Sequence, residues 1–236
     1  MQKMVIAVDV DGTLYDGVGV DEAAVAALGD ARRDGHTIVI VTGRQWGQLG
    51  QVVPMILGLA DAAVCEEGGV LVDLRSSSDV DSAQVTLLAE PIEPQLVAAL
   101  RAAGVTNLDV GRVVVGAPTG ALATVTRVRD QVGSNRLIIT NKGSIALTPR
   151  GCDKGQGLSA ALRALHLEHV PVLAIGDAEN DLAMFAVATI AVGVANADEA
   201  VRASGVPLTQ ATSGLGVAEA LERFLPQSSE VIHCVF

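Results

Sequence analysis

In Met4-Val5-Ile6-Ala7-Val8-Asp9-Val10-Asp11-Gly12-Thr13-Leu14 an apolar run meets two carboxylates and a Gly-Thr pair. Met4 to Val8 is an unbroken apolar run, the pattern of a strand buried on both faces of a parallel sheet. Two carboxylates stand two residues apart where that strand should stop. On a strand, side chains at i and i+2 point the same way, so Asp9 and Asp11 face one pocket unless the chain turns between them. Two anions that close repel each other, and burying them is costly unless a cation joins them or one stays protonated. A divalent metal resolves the conflict, and an all-oxygen ligand set suits Mg²⁺.

The same texture recurs along the chain. Thr37 to Val41 is a second buried strand, ending in Thr42-Gly43-Arg44. Ala62 to Cys65 is a third, and Val70 to Leu74 reads as a fourth. Val172 to Ile175 is another, ending in Gly176-Asp177-Ala178-Glu179-Asn180-Asp181, and Thr189 to Val192 is a further short strand. Helices are expected between them. One is capped by Asp21 and stopped by Gly35, and one starts near Gln45 and is disturbed at Pro54. Others run from Asp153 or Gly155 to Leu165, from Asp181 to Ala186, from Asp198 to Ser204, and from Gly216 to Leu225. Strand alternating with helix predicts an α/β fold, a Rossmann-like doubly wound parallel sheet with right-handed crossovers.

The pattern breaks at Arg75-Ser76-Ser77-Ser78-Asp79, a polar run that reads as a linker. Beyond it come strand-like Val85 to Leu88, a helix from Pro94 to Ala103, strand-like Arg112 to Val115, and a helix from Ala121 to Gln131. Arg136 to Thr140 and Ser144 to Leu147 follow, joined by a hairpin-like turn at Asn141-Lys142-Gly143. Residues 79–150 are therefore expected to form an inserted α+β cap, with residues 1–76 and 151–236 as the core. Charge agrees. Residues 79–150 hold seven Lys/Arg and six Asp/Glu, a net of +1, which leaves −12 of the total −11 on the remainder.

That acidic balance argues against nucleic-acid or anionic-membrane partners, which want a basic face. The 236 residues are 50 % hydrophobic but only 2 % aromatic, so the core must be built of Ala, Val, Leu and Ile. No apolar run approaches the roughly 20 residues of a membrane span. Three scattered cysteines without a CxxC give neither a disulfide framework nor a zinc site. A cytoplasmic monomer or homodimer acting on a small molecule is the expectation.

Ligands of open α/β sheets bind beyond the carboxyl ends of the strands, and three strands deliver polar groups there. Alone, Asp177 is a helix N-cap, Lys154 a solvated helix-start lysine and Thr42 a strand terminator. Together they read differently. Asp177 and Asp181 share a face if a helix starts between them, and four carboxylates at one point require a cation. A carboxylate can attack phosphorus while a second moves the proton. Lys154 can hold a phosphate dianion, and Thr42 with Gly43 can offer hydroxyl and backbone N–H donors.

Asp-Val-Asp-Gly-Thr-Leu (9–14), Val-Thr-Gly-Arg (41–44), Lys154 and Gly-Asp-Ala-Glu-Asn-Asp (176–181) resemble, in order, the four motifs of the haloacid dehalogenase superfamily. The resemblance implies Asp9 as nucleophile and Asp11 as general acid/base, with its backbone carbonyl on Mg²⁺. It implies phosphoryl binding by Thr42, Gly43 and Lys154, with Asn180 beside them, and a metal site completed by Asp177 and Asp181. The insert's position resembles that of Cof-like members with the larger α+β cap, a group similar to sugar-phosphate and phosphoglycolate phosphatases, and its small size favours a small substrate and the phosphoglycolate-like branch. A mutase of the phosphomannomutase type, a receiver-like signalling module and a non-catalytic binding protein are the alternatives. One departure stands out. Relatives of this kind tend to carry Asn-Gly after the third strand, where this chain has Glu66-Glu67-Gly68-Gly69, and the added negative charge is expected to disfavour an anionic substrate tail.

Overall fold

A computed structural model describes residues 2–75, 83–141 and 143–226. The first part of the chain runs β1 (Val5–Val8), α1 (Glu22–Arg33), β2 (Thr37–Val41), α2 (Trp46–Val52), α3 (Pro54–Leu57), β3 (Ala62–Cys65), β4 (Val70–Asp73) and β5 (Gln84–Leu87). Then come α4 (Pro94–Ala102), β6 (Asp109–Val110), β7 (Val115–Pro118), α5 (Leu122–Gln131), β8 (Leu137–Asn141) and β9 (Ser144–Thr148). The last part holds α6 (Lys154–Leu165), β10 (Val172–Gly176), α7 (Leu182–Phe185), β11 (Ile190–Gly193), α8 (Glu199–Ala203) and α9 (Ser213–Phe224).

Among the described residues, seven strands make the main sheet, in the order β11-β10-β1-β2-β3-β4-β5. β1 pairs in parallel with both β10 and β2, with Val8 opposite Ile175 and Ile40. This register sends the residues after three neighbouring strands to one edge. Alternation splits the apolar side chains. Ile6, Val8, Ile38 and Ile40 pack with Leu28 of α1 and Val217 and Leu221 of α9. Val5, Ala7, Val39 and Val41 pack on the other face with Leu158 and Leu162 of α6. Both faces are covered by helices, the condition under which parallel strands read as continuous apolar runs.

The insert has its own antiparallel sheet, ordered β6-β7-β9-β8. Its inner face (Val115, Ala117, Ile145, Leu147) packs on Leu96 and Leu100 of α4 and Val125 and Val128 of α5, a separate apolar core. Its other face looks onto a cleft above the carboxyl edge of the main sheet, lined there by Gly116, Ile139 and Ala146.

The structure corrects several expectations. β5, placed in the insert by sequence, pairs antiparallel with β4 at the edge of the main sheet, so the core continues past the polar run. β4 is also antiparallel to β3, so the sheet is parallel only from β11 to β3. β7 starts at Val115 rather than Arg112, because Val113 and Val114 pack into the core beneath. The disturbance expected at Pro54 is present: α2 and α3 part at Val53 (φ −132°, ψ 47°), since Pro54 lacks an N–H and pushes its predecessor out of the helical region. α9 begins three residues earlier than expected, at Ser213. Ser76 to Asp79 of the expected linker, Lys142 of the hairpin turn and the tail from Gln227 lie outside the described residues. Among the described residues no helix is long and apolar enough to cross a membrane.

Candidate active site

Asp9 follows the last residue of β1 and is 3 % exposed. Lys154, the first residue of α6, is equally buried and donates to Asp9 Oδ1 at 2.7 Å and to Asp181 Oδ1 at 2.6 Å. The start of α6 is fixed by Asp153, whose side chain accepts from Gln156 N at 2.8 Å as an N-cap. Asp181 uses its other oxygen to accept the N–H groups of Asp177 (2.8 Å) and Ala178 (3.0 Å), which closes the turn after β10. Asp177, fully buried, accepts from Thr13 Oγ1 at 3.2 Å. Glycines make room. Gly12 has φ +89°, and a Cβ there would sit 2.2 Å from Asp177 Oδ2; a Cβ on Gly176 would sit 2.5 Å from Asp181 Oδ2.

Burial, together with the anions of Asp181 and Asp177, pushes the Asp9 carboxyl well above the ordinary carboxylate range, against the pull of Lys154. Burial acts to discharge Lys154, but the carboxylates of Asp181, Asp9 and Glu67 outweigh it and hold the ammonium charged. Carboxylate oxygens of Asp9, Asp177 and Asp181 lie within 4.8 Å of one another. Three buried carboxylates against one ammonium leave an excess of negative charge, and the donors are all oxygen. That set fits a hard divalent cation such as Mg²⁺.

Asp11 is absent from this trio. β1 ends at Val8, and Thr13, Leu14 and Tyr15 all donate to Val10 O, so the chain turns between the two carboxylates. The side chain of Asp11 is 47 % exposed and faces the cleft, where Arg44 grips both its oxygens, Nε to Oδ2 at 2.7 Å and Nη2 to Oδ1 at 2.6 Å. Arg44 also lies over the Tyr15 ring at 5.6 Å. Thr42 is fully buried, and its hydroxyl accepts the Arg44 N–H at 3.1 Å, which leaves it one proton to donate. Gly43 and Asn180 line the same cleft.

Glu66 and Glu67 behave unlike each other. Glu66 is 2 % exposed, and its carboxylate accepts three backbone N–H groups of the insert: Arg112 at 3.1 Å, Val113 at 2.7 Å and Val114 at 3.0 Å. It clasps the insert to the core. Arg136, equally buried, binds Glu93 and the carbonyls of Val113, Glu90 and Pro91, and so fixes the strand crossing between the two units. Glu67 turns to the cleft, where the Asn180 amide donates to both of its oxygens (3.3 and 3.1 Å). A third contact crosses the cleft mouth: Gln45 and Gln48 of the core donate to Asp109 of β6 at 2.6 and 3.0 Å.

The structure thus gathers Asp9, Asp11, Thr42, Gly43, Lys154, Asp177, Asn180 and Asp181 at one edge of the sheet, with the Asp11 side chain outside the carboxylate trio. Sequence reasoning did not single out Arg44, Thr13 or the Gln45/Gln48/Asp109 contact as site groups, and it set Glu66 against an anionic substrate tail, whereas its carboxylate is spent on backbone N–H groups of the insert. For Arg44 a signal existed, its adjacency to Thr42-Gly43. For the others the partners are remote in the chain.

Comparison with known proteins agrees with this geometry. The sequence profile of the haloacid dehalogenase-like hydrolases matches residues 6–100 and 113–221. A phosphoglycolate phosphatase of Methanothermobacter thermautotrophicus is 31 % identical over 226 residues, covering 93 % of this chain and 98 % of that protein. One of Nitrosopumilus maritimus is 26 % identical, covering 98 % of this chain and 100 % of that protein. Among solved structures, a haloacid dehalogenase-like hydrolase of Bacteroides thetaiotaomicron superposes with a TM-score of 0.78 at 20 % identity, covering 95 % of this chain and 100 % of that one, and so shares the fold. With its motifs converging as described and the profile spanning most of its length, the chain belongs to the haloacid dehalogenase-like hydrolase family.

Proposed function

We propose that this chain is a phosphatase that hydrolyses a phosphate monoester of a small metabolite, with Mg²⁺, through an aspartyl-phosphate on Asp9. The observation that carries the reading is the placement of Asp9. It is a buried carboxylate held by Lys154 at 2.7 Å, beside Asp177 and Asp181, at the floor of an open cleft.

The Asp9 carboxylate attacks phosphorus, forming an acyl-phosphate as the ester P–O bond breaks. Asp11 gives its proton to the leaving oxygen, then takes one from the water that attacks the same phosphorus and regenerates Asp9. Lys154 orients Asp9 and offsets charge on the phosphoryl oxygens. Thr42 hydroxyl, Gly43 N–H and the Asn180 amide are the remaining donors of the cradle. The chemistry that Mg²⁺ supplies when held by Asp9, Asp177 and Asp181 is neutralisation of phosphoryl charge. Arg44 binds both Asp11 oxygens, so it must release at least one of them before Asp11 can move a proton.

Phosphoglycolate is the first substrate to test, because full-length relatives carry the name phosphoglycolate phosphatase. A sugar phosphate is the second reading. The cleft, about 670 Å³, is larger than phosphoglycolate fills, and the insert lines it with small residues such as Gly116, Ser144 and Ala146 beside the apolar Ile139 and Ile145. Inorganic phosphate release from a panel of phosphoglycolate and hexose, pentose and triose phosphates, at fixed Mg²⁺, tests both. Release from one class and not the other selects the substrate; release from none refutes the phosphatase reading.

A further inference from the structure

Glu67 occupies a position the reaction has no use for. Its carboxylate accepts from the Asn180 amide with both oxygens, at 3.1 and 3.3 Å. Oε1 lies so close to Gly43 that a Cβ on that residue would be 2.2 Å away, and the same carboxylate adds to the field that keeps Lys154 charged. Gly43, Asn180 and Lys154 are three of the groups assigned to the phosphoryl group. The backbone strengthens the point. Glu66 and Glu67 have φ of +52° and +54°, a left-handed conformation that non-glycine residues adopt at a steric cost. The turn is held in place by the Glu66 clasp and by Gly68, where a Cβ would lie 2.0 Å from Asp153 O, directly before Lys154. Strain kept at such a point marks a conformation fixed by its surroundings.

The other charges of the cleft are accounted for. Arg44 is paired with Asp11, Glu66 is satisfied by three backbone N–H groups, and Asp109 by Gln45 and Gln48. Asp9 and Asp181 share Lys154. Asp9, Asp11 and Asp181 are each held by a cation, whereas Glu67, which reaches in among the phosphoryl donors, is held by the neutral amide of Asn180.

We infer that Glu67 is a resident anion of the phosphoryl cradle: its carboxylate takes the donors an incoming phosphate needs, and so weakens ground-state binding of substrate phosphoryl and of product phosphate. The inference rests on the phosphoryl-binding reading of Gly43, Lys154 and Asn180 given above. An incoming dianion must displace the carboxylate from Asn180 or bind beside a like charge, and either lowers affinity. Because free phosphate is penalised as much as bound substrate, the device favours product release over tight binding.

The test is calorimetric titration of inorganic phosphate into the Mg²⁺-loaded wild type, Glu67→Gln and Glu67→Asn. Both variants should bind phosphate about tenfold more tightly than the wild type, a factor equal to about 1.4 kcal/mol. Glu67→Asn also suits the left-handed backbone, so it retains the fold if the glutamine variant loses it; thermal melting of each identifies the folded ones. Equal or weaker phosphate binding in a folded variant overturns the inference. The two readings fail separately. If the wild type hydrolyses a phosphate ester yet the variants bind phosphate no better, this inference falls and the phosphatase stands. If the variants bind better and no ester is hydrolysed, the reverse holds.

Discussion

Glu66→Ala removes the acceptor for three backbone N–H groups of the insert at 2.7 to 3.1 Å. Two of those donors belong to Val113 and Val114, which are 0 % and 7 % exposed and packed in the core, so water cannot replace the lost acceptor there. Arg112 is exposed, so the loss of its bond is left out of the sum. A bond to a charged acceptor is worth about 1.5–3 kcal/mol, and a buried donor left unmet costs about 1–3 kcal/mol. Two such bonds, taken near the low end because the carboxylate's own burial is relieved, give a loss of about 3–4 kcal/mol. For a chain of this size that corresponds to a fall of about 10 °C in thermal midpoint. Glu66→Gln keeps one carbonyl acceptor and should lose about half as much. Gly111→Ala attacks the same clasp from the other side, since its Cβ would lie 2.4 Å from Glu66 Oε2. Thermal melting, with amide exchange at residues 112–114 as the local readout, checks all three. A Glu66→Ala protein within about 0.5 kcal/mol of wild type, the range of ordinary surface changes, would refute the clasp.

Asp177→Asn should weaken Mg²⁺ binding while the fold persists. The wild type should gain about 2.7 kcal/mol of stability at a Mg²⁺ concentration 100 times its dissociation constant, and the variant clearly less, as read by melting with and without Mg²⁺. Gly12→Ala should do the same, because its Cβ would collide with Asp177 and its φ of +89° suits glycine. His36 is buried and accepts the Met4 N–H at Nδ1, and burial, then Lys3, holds its pKa below the usual value. The unfolded chain therefore binds the proton more readily. Stability is full above about pH 6.5 and falls as pH drops through that value toward the folded pKa. Comparing melting of wild type and His36→Asn between pH 7.5 and 5.5 (both set by the buffers, about one unit either side of the histidine value) should show a smaller decline in the variant. Equal declines would assign the effect to other groups.

The core was legible because its signals are local. Unbroken apolar strands ending in Asp9, Thr42 and Asp177 need no knowledge of distant partners. The caps Asp21, Asp153 and Asp198, each accepting a backbone N–H of its own helix, are written within three residues. What escaped depends on remote contacts. β5 is a four-residue strand whose place is set by pairing with β4 across the polar run. Val113 and Val114 look like strand, but they are drawn down to the core by Glu66, 47 and 48 residues away in sequence. The same distance hid the character of Glu66-Glu67. Two adjacent acids suggest repulsion, whereas one carboxylate is satisfied by backbone donors and the other sits on Asn180. Asp9 and Asp11 line one cleft, but Asp11 stands outside the carboxylate trio because the chain turns at Val10, and nothing in a two-residue spacing reveals where a strand stops.

Turnover by this mechanism puts the phosphoryl group on Asp9. Rapid acid quench of the Mg²⁺-loaded protein during turnover of a hydrolysed phosphate ester, followed by mass spectrometry of its peptides, measures this directly. The expected result is the mass of one phosphoryl group on the peptide containing Asp9, absent in Asp9→Asn, which folds but does not turn over. A turning-over wild type whose phosphoryl group lies on another residue, or an Asp9→Asn protein that still releases phosphate, would contradict it.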